Sequence, residues 1–161
     1  MELKSLNIGD LKIEIPIIQG GMGVRVSNCS LVFAVSKEGA LGVIASVGLG
    51  EIVDGSEGDY KKRSREALRE SIRETMKRTD KPFGINIMCA LTNYDELVAV
   101  AEEEKVDVII SGAGLPMKLP SLVKNPRTKL LPIVSSSRAA HIICTNWKRK
   151  FNRLPDAFVV K

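Results

Sequence analysis

The stretch Pro16-Ile17-Ile18-Gln19-Gly20-Gly21-Met22-Gly23 decides how the rest of this sequence is interpreted. Its short apolar run predicts a buried parallel strand, and Gln19 then leads into a loop with three glycines in four residues. Glycine has no Cβ, so such a loop adopts positive φ easily and lets a flat ligand lie against its main chain. In α/β folds, ligands bind at the carboxyl ends of parallel strands. The segment therefore indicates a ligand loop, with a tight strand-to-helix turn as the alternative that it leaves open.

The composition predicts one globular domain over residues 1–161. Of these residues 44% are hydrophobic and 27% are charged, and a chain of this length buries about 70% of the surface that it exposes when unfolded. The net charge is only +5 and aromatic residues make up 4%, so a base-stacking surface is disfavoured and we expect no nucleic-acid partner. No long apolar stretch is present, which predicts neither a signal peptide nor a membrane partner.

Cys29, Cys89 and Cys144 are odd in number and far apart in the sequence. They form no Cys-x-x-Cys pair and no spacing with histidine that is typical of a metal site. We therefore expect no metal, and three scattered thiols favour a reducing, cytoplasmic location.

The rest of the chain alternates between apolar runs and helical segments. Apolar residues alternate from Leu3 to Ile15 around Gly9-Asp10, which predicts a β-hairpin. The predicted parallel strands are Ile17–Gln19, Gly42–Ala45, Phe83–Met88, Val106–Ile110, Leu130–Val134 and Ala157–Val160. The predicted helical segments are Ser30–Glu38, Tyr60–Arg78, Tyr94–Glu104 after an Asn93 N-cap, Ser121–Lys124, and Arg138–Lys150 after a Ser137 N-cap. Continuous apolar strands separated by helices are typical of a parallel sheet that is buried on both faces.

Six such strand–helix steps fit two architectures, an open doubly wound sheet and a (β/α)₈ barrel. The GGMG loop lacks the Gly-x-Gly-x-x-Gly spacing and the later acid of a dinucleotide site, which disfavours the first. Polar or glycine residues follow nearly every strand, and such convergence at the strand ends is typical of a barrel. A complete barrel needs about 250 residues, so the 161 residues are too few for one.

Taken together, the motifs resemble the FMN-dependent nitronate monooxygenases, also called 2-nitropropane dioxygenases. The matching segments are PIIQGGMG at 16–23, VSNCSLVFAVSKEGALGVIA at 26–45, FGINIM at 83–88, IISGAGLP at 109–116 and PIVSSSRAA at 132–140. This family is related to the FMN-dependent enoyl-acyl-carrier-protein reductases, and some members are quinone reductases. The resemblance implies an α/β fold of the (β/α)₈ TIM-barrel type, with FMN at the carboxyl ends of the strands.

The resemblance also implies the residues of the flavin site. The expected cofactor-binding residues are Gln19, Gly20, Gly21, Met22, Asn86, Ser111, Gly112 and Ser135. The three residues Gly20, Gly21 and Met22 are expected against the flavin ring, and Asn86 at its polar edge. Gly114 is expected to contact the substrate, on a side that Ser111 and Gly112 also line.

Structural alternatives to these roles stay open at the level of the sequence. Asn86 fits a turn residue at a strand end, and Met22 fits a core side chain. The segment 111–114 fits an ordinary βα turn or a nest for any anion. His141, the single histidine, lies within a predicted outer helix, where a structural role is expected in place of general-base catalysis.

In the family that this sequence resembles, the catalytic histidine and the loops that hold the FMN phosphate follow a strand like the one ending at Val160. The 161 residues therefore correspond to the first six strands of the barrel, and none of them is assigned a catalytic role. The implied function is the oxidation of alkyl nitronates with dioxygen, and the alternative is the reduction of enoyl thioesters or quinones. A non-catalytic fragment or interaction module that self-associates through its open sheet edges is a third interpretation, under which the 161 residues alone are inactive.

Overall fold

The structure is a computed structural model that describes residues 4–51 and 59–161. It begins with an antiparallel hairpin of β1 (Leu6–Ile8) and β2 (Leu11–Ile13), as the alternating pattern predicts. Gly9 at the turn has a φ of +61°, a conformation that glycine adopts without strain. The glycine-rich segment 48–59 predicts a loop after the second strand, and its residues 52–58 lie outside the described residues.

In the described part of the chain, the main sheet has five parallel strands in the order in which they occur along the sequence. They are β3 (Gly42–Ala45), β4 (Phe83–Met88), β5 (Val108–Gly112), β6 (Lys129–Val134) and β7 (Val159–Val160). The predicted strand at residues 17–19 contributes one parallel bridge, between Ile18 and Leu41, at the edge beside β3. All six predicted strand positions therefore follow one another around the sheet, although the first and last are shorter than the apolar pattern indicates.

Within residues 4–51 and 59–161, five helices connect these strand positions. They are α1 (Cys29–Lys37), α2 (Tyr60–Arg78), α3 (Tyr94–Glu103), α4 (Leu119–Leu122) and α5 (Ser137–Phe151). The prediction that Ser137 caps α5 is wrong, because the Ser136 side chain accepts the hydrogen bond from the amide of Ala139. Asn93 precedes α3 as predicted, but its side chain makes no capping hydrogen bond.

Two apolar clusters lie on opposite faces of the sheet. The inner cluster joins the hairpin to one set of alternate strand residues: Ile8, Ile13, Leu41, Val43, Val108, Ile110 and Leu131. The outer cluster joins the other set to the helices, and includes Ile44, Ile85, Ile109, Leu68, Leu97 and Trp147. Because strand side chains alternate between faces, these two clusters fix which strand-end residues face the inside of the curled sheet.

Two aspartates attach neighbouring strands at their amino ends. Oδ2 of Asp107 accepts a hydrogen bond of 3.1 Å from the amide of Phe83, and Oδ2 of Asp156 accepts one of 2.9 Å from the amide of Leu130. Each carboxylate thus supplies an acceptor near the start of the strand that precedes it in the chain. Burial raises the pKa of Asp107 above its ordinary value, although its backbone hydrogen bonds act in the opposite direction.

We expect Asp107→Ala to lower the free energy of unfolding by about 1–3 kcal/mol, because it leaves a buried amide without an acceptor. Asp107→Asn keeps an acceptor oxygen and removes a charge that burial disfavours, so it should be at least as stable as the wild type at pH 7. Since the pKa of Asp107 is raised in the folded state, the free energy of unfolding of the wild type should rise relative to that of Asp107→Asn as the pH falls through that pKa. Thermal unfolding measures all three proteins, and equal destabilisation by both substitutions would contradict this role.

Candidate functional site

The glycine loop after Gln19 is held in place by the buried hydroxyl of Ser27. Its Oγ accepts hydrogen bonds from the Met22 amide (2.9 Å) and from Nε2 of Gln19 (2.8 Å), and it donates to the carbonyl of Gly20 (3.3 Å). The main-chain carbonyl of Ser27 accepts from the amide of Ala45 at the end of β3. The sequence-based prediction missed Ser27, because it lies in a loop where no periodicity marks it.

Gln19 acts within this loop as a bridge to the sheet. Its Oε1 accepts a hydrogen bond of 2.9 Å from the amide of Val43, while its Nε2 reaches Ser27. Both ends of the Gln19 amide are therefore engaged by the protein, and this side chain orients the loop on β3.

Gly21 lies directly against Asn86, as the two segments of the predicted site require. A Cβ on Gly21 would come within 2.7 Å of the Cβ of Asn86, closer than real Cβ atoms approach. A Cβ on Gly20 would meet nothing within 4 Å, so the main chain there faces open space. Asn86 is half-buried, and its neighbours Ile85 and Ile87 belong to the outer cluster, which places the Asn86 side chain on the inner face. The side chain of Met22, beside these glycines, is 63% exposed.

Gly112 lies on the same inner face, at the carboxyl end of β5. A side chain there would meet Ile133 at 2.9 Å, so the position admits only glycine without a shift of β6. Ser135 follows β6 and is exposed at the same edge of the sheet. The structure thus brings Gly20, Gly21, Asn86, Gly112 and Ser135 to one end of the parallel sheet.

Two of the predicted residues turn to the other side of the strand ends. The side chain of Ser111 is fully buried on the helix-facing side, where Oγ donates to the carbonyl of Ile87 at 3.0 Å and lies 2.9 Å from the hydroxyl of Tyr94. Gly114, with a φ of +133°, lies against Cys89. Burial raises the pKa of Tyr94 far above its ordinary value, so its phenol stays protonated.

The two residues that follow the last glycine of this loop attach it to the segment after β3. Val24 and Arg25 both have positive φ, at 51° and 63°, a conformation that costs a β-branched residue free energy. The amide of Val24 donates to the carbonyl of Val47, and the guanidinium of Arg25 reaches the carbonyl of Glu51 at 3.3 Å. His141 lies away from this region as an exposed side chain of α5.

Comparison with known proteins identifies the family. Residues 4–95, more than half of the chain, match the nitronate monooxygenase family. The chain belongs to this family. The α/β fold of the TIM-barrel type that the sequence implied is confirmed, with a curled parallel sheet that forms part of a barrel.

Two solved structures of nitronate monooxygenase relatives are similar to the chain. FabK from Thermotoga maritima is 37% identical with a TM-score of 0.67, over 83% of this chain and 38% of that one. A point mutant of the same FabK gives a TM-score of 0.68, again at 37% identity over 83% of this chain, and 40% of the mutant chain is covered. The chain therefore spans about two fifths of the length of these structures.

A curated relative from Mycobacterium tuberculosis matches more distantly. It is (3aS,4S,5R,7aS)-5-hydroxy-7a-methyl-1-oxo-octahydro-1H-indene-4-carboxyl-CoA dehydrogenase, which is 27% identical over 128 residues, 80% of this chain and 32% of the relative. These relatives support an oxidoreductase at the level of the family. Among residues 4–51 and 59–161, no helix is both long enough and apolar enough to cross a bilayer.

The adjacent glycines Gly20 and Gly21 give a matched pair of variants. We expect Gly21→Ala to lower the free energy of unfolding by about 1–3 kcal/mol, because its Cβ overlaps Asn86. Gly20→Ala should stay within about 0.5 kcal/mol of the wild type, because its Cβ enters open space. Chemical denaturation measures both, and equal stability of the two variants would show that the contact with Asn86 is not tight.

Proposed function

We propose that this chain contributes the ring-binding part of an FMN-dependent oxidoreductase. The observation that carries the proposal is the open main chain at Gly20, beside the half-buried amide of Asn86, at the carboxyl end of the parallel sheet. A flat ring needs such a surface free of Cβ atoms, and the polar edge of a flavin presents N–H beside C=O, which an amide side chain matches. The residues present therefore fit the ring of this cofactor.

Within this proposal, Gly20, Gly21 and Met22 form the platform for the ring, and Asn86 hydrogen-bonds its polar edge. When bound, the flavin supplies the capacity to take electrons from one substrate and pass them to another. The chain's own residues provide orientation. The hydroxyl of Ser27 and the amide of Gln19 fix the platform in advance, so little ordering remains when a ligand binds.

Gly112 and Ser135 are proposed as further contacts at the same edge. Gly112 leaves the inner face without a side chain at this position, because any side chain would collide with Ile133. Ser135 offers an exposed hydroxyl after β6. Ser111 supports this edge from the helix-facing side, through the hydrogen bond from its hydroxyl to the carbonyl of Ile87. Gly114, in the loop that follows β5, is proposed to border the substrate.

For the reaction, we propose the oxidation of an alkyl nitronate with dioxygen, which the family match supports. The second candidate is the reduction of an enoyl thioester or a quinone. Two observations favour it: the 37% identity to FabK and the similarity to an enzyme named as an indene-carboxyl-CoA dehydrogenase, whose substrate is a thioester. Two assays of the natural protein distinguish these reactions. Oxygen uptake with propyl-2-nitronate supports the first, and oxidation of NAD(P)H that depends on an enoyl thioester or a quinone supports the second.

We expect FMN, and neither FAD nor NAD, to be the cofactor of the natural protein. The chromophore released by heat should have the mass of FMN, and release of FAD or of no flavin would contradict the proposal. Gly20→Val should abolish flavin binding with little change in stability, because its Cβ enters open space and its branched side chain covers the platform. Gly21→Val should also abolish binding, but with a loss of stability. Retention of full flavin by Gly20→Val would show that this loop is not the platform.

We expect His141→Ala to leave the turnover of the natural protein within a few-fold of the wild type, because the histidine is exposed on α5. Loss of a proton-transfer residue costs about 10²–10⁴ in rate. Steady-state kinetics at saturating substrate decide between these outcomes, and a fall in that range would assign His141 a catalytic role.

A further inference from the structure

Tyr94, the first residue of α3, reaches the carboxyl end of β5 from the helix-facing side of the sheet. The residue is only 9% exposed, and its hydroxyl lies 2.9 Å from Oγ of Ser111, which is fully buried. A buried hydroxyl costs free energy unless it is hydrogen-bonded. The contact with Ser111 therefore determines where the phenol of Tyr94 can lie.

The direction of the hydrogen bonds follows from the single proton of the Ser111 hydroxyl. Ser111 donates this proton to the carbonyl of Ile87 at 3.0 Å, so its Oγ is an acceptor toward Tyr94. The phenol is therefore the donor, and burial keeps it protonated by raising the pKa of Tyr94. The result is one hydrogen-bond chain that runs from α3 through the side chain of Ser111 to the main chain of β4.

This chain joins β4 to β5 directly behind two of the proposed flavin contacts. Ile87 and Ser111 are partners in the parallel ladder, and both side chains lie on the outer face. Asn86 precedes Ile87 and Gly112 follows Ser111, so these two proposed contacts lie on the inner face. The amide of Cys89 donates to the carbonyl of Gly112 at 2.7 Å, which extends the connection to the ends of both strands.

The two faces of β5 are mechanically coupled at this point. A planar peptide joins Ser111 to Gly112, so a movement of the strand end that displaces Ser111 also displaces Gly112. A binding site requires its contacts to be held within about 0.5 Å by residues that are themselves fixed by packing and hydrogen bonds. The Tyr94 hydroxyl supplies such a restraint on Ser111. The thiol of Cys89, a weaker donor, lies 3.3 Å from the same oxygen.

We propose that Tyr94 is a positioning residue for the flavin site, which acts through Ser111 on Asn86 and Gly112 without touching the cofactor. The inference rests on the proposed function, since it concerns the same site. Under it, the affinity of the natural protein for FMN depends on a hydroxyl on the helix-facing side of the sheet. This dependence disappears when Ser111 can no longer transmit it.

The test is the dissociation constant for FMN of the natural protein after its flavin has been removed, measured by quenching of flavin fluorescence. Tyr94→Phe keeps the buried ring and removes only the hydroxyl. We expect it to weaken FMN binding by about two- to tenfold, the effect of one hydrogen bond. Ser111→Ala should weaken binding as well. Adding Tyr94→Phe to Ser111→Ala should weaken it no further, because both residues belong to one chain.

Thr128→Val is the matched control. Thr128 is fully buried, and its Oγ1 donates to the carbonyl of Val106 at 2.8 Å, at the opposite end of β5 and β6. The variant removes the same kind of hydrogen bond, so it should lower the midpoint of thermal unfolding at least as much as Tyr94→Phe does. Its dissociation constant for FMN should stay within about twofold of the wild type, because distant sites act independently.

The outcomes separate this inference from the proposed function. A wild-type protein that binds no FMN would overturn the proposed function, and the role of Tyr94 with it. If the wild type binds FMN, three results overturn the role of Tyr94 alone. They are an unchanged dissociation constant in Tyr94→Phe, an equal loss of affinity in Thr128→Val, and a further loss when Tyr94→Phe is added to Ser111→Ala.

Discussion

The candidate site depends on a single buried hydroxyl. Ser27 is 1% exposed, and its Oγ holds the Met22 amide, the Gln19 side chain and the Gly20 carbonyl together. A loop rich in glycine loses much conformational entropy when it is ordered, so without such a group its main chain would sample many shapes. The link from the Ser27 carbonyl to Ala45 then attaches the ordered loop to β3.

The two ends of the sheet have different tasks. At the amino end, the hairpin residues Ile8 and Ile13 fill the inner face, and the carboxylates of Asp107 and Asp156 receive amides where strands begin. At the carboxyl end, the inner face carries glycines and a half-buried amide. Packing and hydrogen bonds at one end therefore allow the other to keep its main chain open, in accord with the separation of stability and activity in barrels of this type.

Much of the fold could be predicted because local signals were strong. The helix Tyr60–Arg78 has the predicted bounds, and the apolar runs mark all six strand positions. The orientation of Ser111 could not be predicted, because strands that are buried on both faces show no alternation that distinguishes them. The role of Ser27 could not be predicted either, because its hydrogen bonds join residues five to eight positions apart within an irregular loop, where no helix or strand period marks a residue.

The opposite orientations of Ser111 and Gly112 have a consequence for how this chain can evolve. Side chains on the two faces of β5 can be exchanged separately, since the inner residues contact β6 and the outer ones contact α3. Length is a different matter. Inserting or deleting one residue in β5 would exchange the faces of every residue beyond it, placing a hydroxyl over Ile133 and a glycine beneath Tyr94. Substitutions can thus diversify either side, while the number of residues between Val108 and Gly112 must stay fixed.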